Sequence, residues 1–383
     1  MSNKFTNTRI EFHVLQSFPV TCLNRDENGS PKTAEVGGVT RARVSSQCWK
    51  RQVRMALRDY GATLGTRTKR LGDVVAAECE KLGAKEDQRA RCQEAVNAIF
   101  AKPVKKRGAT EAESSDATDG DEKLDTLLFL MPAEIVTLAQ KLKDANFDPE
   151  AIGLPIKRTD KKNEREKRAK VLVELIERQD RHVDALDVAL FGRMVAQAAT
   201  MNIEAAASFA HAISTHRVSN DVEFFTALDD NPAEQGSAHM GNLEFNSATY
   251  YRYISLDLGQ LAQSLGTEDL GQAVEAFTKA LFVAVPSARQ ATMSGAGSWD
   301  FARVLVRKGQ RLQASFDKPV RARGDGYIEP SIAALKEWHQ DKSEIAGSLF
   351  GGIGTYDIGL GADEKFKVRN IDELIAALLS HLT

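Results

Sequence analysis

The 383-residue chain has only four cysteines, Cys22, Cys48, Cys79 and Cys92, and no two of them form a CxxC pair. That spacing argues against a disulfide framework or a zinc site and fits reduced thiols in a cytoplasmic protein. Long hydrophobic runs are also missing. The longest, "TLLFLMP" and "ALFVAVP", fall far short of the roughly 20 residues that a membrane helix needs. No apolar segment follows a charged start at the N-terminus, so no secretory signal pattern is seen and no membrane partner is expected. The glycine-rich "GSLFGGIG" at 347–354 lacks the Lys-Ser/Thr of a phosphate loop and reads as an ordinary loop. His211 and His216 are five apart and do not share a helix face as a metal pair would. No metal and no cofactor are expected.

Charge is present in near balance but unevenly spread. The formal net charge is −2, from 51 Lys and Arg against 53 Asp and Glu. Yet "RARVSSQCWKRQVRMALR", residues 41–58, holds six Lys or Arg and no acidic residue. A second basic stretch, 301–325, has seven against two. An acidic block, "EAESSDATDGDE", lies at 111–122. Such separation points to a polyanion partner for one face, against the plainer reading of a solvated surface.

Periodicity divides the chain. "RIEFHVLQSFP" alternates as a strand with Ile10, Phe12 and Val14 on one face. A polar loop, 24–38, follows. Ser45 or Ser46 then caps a helix whose apolar stripe is Trp49, Val53, Ala56, Leu57 and Tyr60, with Gly61 at its end. Residues 62–190 read mostly as amphipathic helices around a block-charged loop at 102–123. "REKRAKVLVELIERQDRHVDALDVALFG" reads as one of those helices, and "AAASFAHAISTH" as helical or mixed. "TYYRYISLDL" and "FARVLVRKG" have strand character, and "GQAVEAFTKALFVAV" is helical. Asn370 and Glu373 have capping-box spacing at the start of a last helix. The pattern is an α+β domain, an antiparallel sheet with helices on one face, interrupted by a helical insertion.

The helix after Ser45 carries its own chemistry. Lys50, Arg54 and Arg58 recur every four residues, about 6 Å apart along the axis and close to the phosphate spacing of an extended strand. Arg51, and Arg41 and Arg43 upstream, extend this track. Ser45, Ser46 and Gln47 sit where a helix N-terminus can hold a phosphate.

These residues resemble the CasC family, the CRISPR-RNA-binding backbone subunit of the type I-E Cascade complex. The likeness rests on Asn24-Arg25-Asp26, Lys32, Gly37-Gly38, Arg43 to Gln47 with Lys50, Arg51 and Arg54, "GRM" at 192–194, "AHAISTH" at 210–216, and "QGSAHMGNLEFNSATYYRY" at 235–253. The resemblance implies an RRM-like antiparallel-sheet palm, an inserted helical fingers domain and a thumb β-hairpin. The implied boundaries are palm 1–60, fingers 61–188, palm 189–216, thumb 217–249 and palm 250–383. It also implies copies stacked on one CRISPR guide RNA, with other Cascade subunits and target DNA as partners. Contacts to the guide backbone would come from Arg25, Lys32, Arg43, Ser45, Ser46, Gln47, Lys50, Arg51 and Arg54, with Arg193 and Met194 beside a base. Phe224, Phe225, His239 and Met240 would form the thumb wedge, and Lys318, Arg321 and Arg323 are candidate contacts to target DNA. The sequence departs from one relative at Phe224 and Met240, where that relative has Trp and Leu, and from the family at Trp49, where a smaller apolar residue is usual.

Two other functions fit some of the residues. Asp26, Asp229 and Asp230 together would suit a Mg²⁺-dependent ribonuclease, although loop aspartates more often cap turns. A general RNA-binding protein is the third reading. The aromatic signature of base-stacking RRM sheets is absent, which favours backbone binding over base readout. The expectation is therefore a non-catalytic subunit.

Overall fold

The computed structural model describes residues 3–100, 128–154, 162–176, 183–195, 199–228, 237–322, 324 and 326–382, apart from the side chains at 100, 162–166, 226–228 and 237–240. In chain order, β1 (Thr8–Thr21), β2 (Thr33–Val36), β3 (Val39–Val44) and α1 (Ser46–Ala56) come first. Then come β4 (Thr66–Thr68), α2 (Leu71–Lys81), α3 (Glu86–Phe100), β5 (Leu128–Leu130), α4 (Pro132–Asp144), α5 (Lys162–Ile176) and α6 (Leu186–Phe191). Next are β6 (Ala207–Phe209), β7 (Ala212–Ser214), β8 (Asp221–Leu228), β9 (Ser237–Asp257), α7 (Leu258–Leu265), α8 (Leu270–Val283) and α9 (Gln290–Met293). The last are β10 (Phe301–Lys308), α10 (Ile328–Ala346), β11 (Gly352–Gly359) and α11 (Ile371–Leu379). Two compact units result: Met1–Ala62 with Ala206–Thr383, and the inserted Thr63–Ala205.

The first unit is built on an antiparallel sheet in the order β11-β10-β1-β9-β7-β3-β2, with β6 and β8 also paired to β9. The strand β1 is central because both its faces are covered. Ile10, Phe12 and Val14 are buried, and Phe12 meets Phe277 of α8 edge-on at 6.3 Å. This is the helical face that the alternation predicts.

The sequence reading places helices on one face of the sheet, and the opposite face is covered as well. Glu11 and His13 are fully buried with Leu15, beneath α10 and the irregular chain around residues 312–320. Burying such groups is tolerable only when they are partnered. Glu11 accepts from Arg307 at 2.5 Å, from the Leu312 amide at 2.8 Å and from the Tyr253 hydroxyl. The polar half of the β1 pattern is thus a buried network, not a wet surface.

Other segments also differ from their sequence reading. "AAASFAHAISTH" contains β6 and β7, because both pair with the long β9. The 165–192 stretch is not one helix: residues 183–185 are not helical and α6 begins at Leu186. The 347–354 segment is a helical turn followed by the start of β11. The loop at 102–123 lies outside the described residues.

The inserted unit has its own core of Leu71, Val75, Leu130, Leu138, Leu142 and Leu172, which Val195 and Met201 complete. Those last two residues explain why the insertion runs to Ala205, where the sequence placed its end at 188.

β8 and the first half of β9 form the hairpin expected as the thumb, with Phe224 opposite Asn242 and Phe225 opposite Gly241. The β2–β3 hairpin turns at Gly37 and Gly38, both at positive φ, as a two-residue turn of this hand requires. A side chain at Gly37 would meet the Asp317 carbonyl at 1.8 Å.

Candidate nucleic-acid interface

α1 is fixed at both ends by its sequence. Ser45 is the N-cap and its Oγ accepts from the Cys48 amide at 3.3 Å, a contact worth about 1 kcal/mol. A short tight turn at Leu57–Tyr60 follows, closed by Gly61 in the left-handed region. Trp49, Val53 and Leu57 are buried, as their spacing predicts. Each contributes roughly 1.5–3 kcal/mol of apolar burial.

The basic residues occupy the rest of the helix surface. Gln47, Arg51 and Arg58 are exposed, and Arg54 is half-buried beside them. Their spacing of four, three and four makes this the outer ridge. Lys50 departs from the predicted 50-54-58 line. It leans toward the sheet, its ammonium 5.8 Å from the centre of the Phe209 ring on β6. Partial burial pulls its pKa below the ordinary lysine value. The first turn has no acidic residue, and Arg54 lies in the last turn, where it complements the helix dipole.

Asn24 holds the preceding loop against this helix. Its Oδ1 accepts from the Ser45 amide at 3.0 Å and its carbonyl accepts from the Lys32 amide at 2.8 Å. The Lys32 carbonyl in turn accepts from the Arg43 amide at 2.8 Å. Arg25, Lys32 and Arg43 are thereby fixed on one unit with the α1 ridge. The N-cap role takes up the Ser45 oxygen as acceptor, while its O–H proton remains available to donate. The roles of Asn24, Phe209 and His211, whose Nδ1 lies 3.1 Å from Nη1 of Arg43, were missed by sequence reasoning. The "AHAISTH" block gave the only signal for His211.

Two sequence-predicted residues have other roles. Arg41 is not part of the track. It is fully buried, and its guanidinium donates to the carbonyls of Ser214 at 2.7 Å, Phe316 at 3.0 Å and Asp317 at 3.3 Å. It ties the hairpin to the chain covering the sheet. Arg193 is also interior. It donates to Glu134 at 2.6 Å and to the Met201 carbonyl at 2.8 Å. Its guanidinium is a structural anchor within the inserted unit, and the next residue, Met194, stands 83% exposed.

The remaining candidates are placed as follows. Phe224 is 62% exposed on β8, on the same face as exposed Val222. Phe225 lies against Gly241. The backbones of His239 and Met240 lie in β9, but their side chains are outside the described residues. Lys318 and Arg321 are exposed, and Arg323 is outside the described residues. Asp26 accepts from the amides of Asn28 and Ser30, both at 2.9 Å, so its carboxylate closes the loop turn. Asp229 and Asp230 lie outside the described residues.

The sequence matches the family described as CT1975-like protein over residues 10–356. The chain belongs to the CT1975-like protein family. No curated protein matches this family member. A solved chain described as "CRISPR RNA-guided surveillance complex, pre-nicking" is similar to it, with 26% identity, a TM-score of 0.77, and 98% of this chain and 100% of the other covered. A second, "CRISPR RNA-guided surveillance complex", has 22% identity and a TM-score of 0.67 over 98% and 100% of the two chains, and bears on the fold alone. The α+β fold expected from the CasC resemblance therefore holds for this CT1975-like chain. No helix among the described residues is long and apolar enough to cross a membrane.

Proposed function

We propose that this chain is a non-catalytic RNA-binding backbone subunit of a type I-E Cascade surveillance complex in the cytoplasm. Copies polymerise along a CRISPR guide RNA, other Cascade subunits close the filament, and the guide is presented for pairing with target DNA in antiviral defence. Sequence reading is left to base pairing while the protein handles the backbone, the division of labour described for other RNA-guided effectors.

The observation that carries this reading is the Ser45-capped α1. It is docked by Trp49, Val53 and Leu57, and it holds Arg51, Arg54 and Arg58 outward beside Lys32 and Arg43. A docked helix with an unbroken basic ridge suits phosphates and carries no base-specific reader. The exposed Met194 and Phe224 supply apolar groups that a displaced base can stack on, independent of its sequence. The family and the likeness to the solved surveillance-complex chain at 26% identity support the assembly.

Co-expression with guide RNA and the other subunits tests it. The expected product is a complex with several copies of this chain on RNA of uniform length, counted by native mass spectrometry. Recovery of the chain as an RNA-free monomer would sink the proposal. Mg²⁺-dependent RNA cleavage lost on Asp26→Ala would replace it with a nuclease.

A further inference from the structure

His211 lies between β6 and β7, and its ring is exposed. Its Nδ1 is 3.1 Å from Nη1 of Arg43. A guanidinium can only donate, so Nδ1 accepts and the neutral ring carries its proton on Nε2. Two charged groups act on this ring, Arg43 from β3 and Lys32 from the residue before β2, and both are positive. Partial burial foremost, and then these two charges, hold the imidazole below its ordinary value. Two residues away along the same segment, Phe209 carries the Lys50 ammonium. An imidazole among cations is poorly placed to take a proton on a bare surface. A phosphate among the same groups reverses the local field and favours the protonated ring.

We propose that His211 is a further phosphate ligand beside the α1 ridge and takes up one proton from solvent when RNA binds. This rests on the RNA-backbone reading above. In the neutral ring, Nε2–H donates to a phosphate oxygen. Once the Arg43 guanidinium turns onto the same phosphate, Nδ1 is freed to take the proton and becomes a second donor. Binding of RNA is then coupled to protonation. The sign follows from linkage: the RNA-bound form binds more protons, so affinity rises as pH falls. The window runs from the bound-state pKa down to the free-state pKa, which lies below the ordinary value near 6.5.

The test is the affinity of the full chain for a fluorescein-labelled single-stranded RNA, at constant ionic strength, from about pH 8 to about pH 5.5. The parent, His211→Gln and Arg54→Gln are compared. His211→Gln is expected to bind more weakly than the parent, by a factor that grows by up to about tenfold per pH unit across the window. A deficit that is the same at every pH, or no deficit, overturns the role of His211. If Arg54→Gln lowers affinity while His211→Gln follows the parent's pH profile, the α1 ridge stands and this inference alone fails. Absence of RNA binding by the parent overturns both.

Discussion

The guanidinium carbon of Arg252 lies 3.6 Å from the centre of the Trp49 ring, and both side chains are buried. The basic helix is thus docked on the sheet by a stacked cation and indole. Arg252 donates to Gln16 at 2.6 Å, while its Nε and Nη2 have no hydrogen-bond partner among the described residues. Burial pushes its pKa down to about 9. The indole therefore carries the docking, and the charge is a cost. Trp49→Ala is expected to lose about 3–5 kcal/mol of stability in urea titration. Arg252→Met, which keeps the volume and removes a buried charge, is expected to leave the Tm unchanged or raise it.

Neighbouring residues in the inserted unit separate stability from binding. Arg193→Ala leaves Glu134 buried and unpaired, which costs about 3–5 kcal/mol and lowers the Tm. Met194→Ala changes an exposed side chain, so the Tm should hold while RNA affinity falls. Calorimetry and RNA titration of the two variants check this, and a reversed pattern would return Arg193 to the RNA contacts.

The hairpin prediction is similar in kind. Phe224→Ala removes an exposed ring, so stability should change by less than about 0.5 kcal/mol. If Phe224 stacks on a base, RNA affinity should drop by about 1–3 kcal/mol. Fluorescence titration with a labelled RNA measures the drop.

A buried histidine pair makes the fold acid-sensitive. The rings of His13 and His339 meet edge-on at 4.3 Å. Burial, with Arg303 and Arg307 nearby, pushes His339 down to about 3. A group whose folded pKa is depressed favours the fold above its unfolded value near 6.5, and that support is lost as pH falls toward 3. Stability should therefore decline by up to about 1.4 kcal/mol per pH unit from this residue over that window. Denaturant melts at about pH 7 and pH 5 should show the decline, and His339→Leu should reduce it.

Much of this was legible in the sequence because it was local. Ser45 as cap, Gly61 as stop and the buried Trp49-Val53-Leu57 stripe all follow from helical spacing. So does Asn370, whose Oδ1 accepts from the Glu373 amide at 2.9 Å. What was not legible depended on distant partners. Arg41 reads as one more cation in a basic run, and only the carbonyls of Ser214 and Phe316 make it a buried brace. Arg193 needs Glu134, 59 positions away. The burial of the polar half of β1 depends on Arg307 and Tyr253, which lie more than two hundred residues along the chain. Lys50 fits the predicted ridge by spacing, but Phe209 draws it aside.

The most direct measurement is the salt dependence of RNA affinity for the parent and for Arg51→Gln and Arg54→Gln. If the α1 ridge grips phosphates, each substitution should lower affinity for all RNA sequences alike. It should also reduce the slope of log K against log salt by about 0.7 per contact on a single strand. A slope unchanged in both variants would contradict the account.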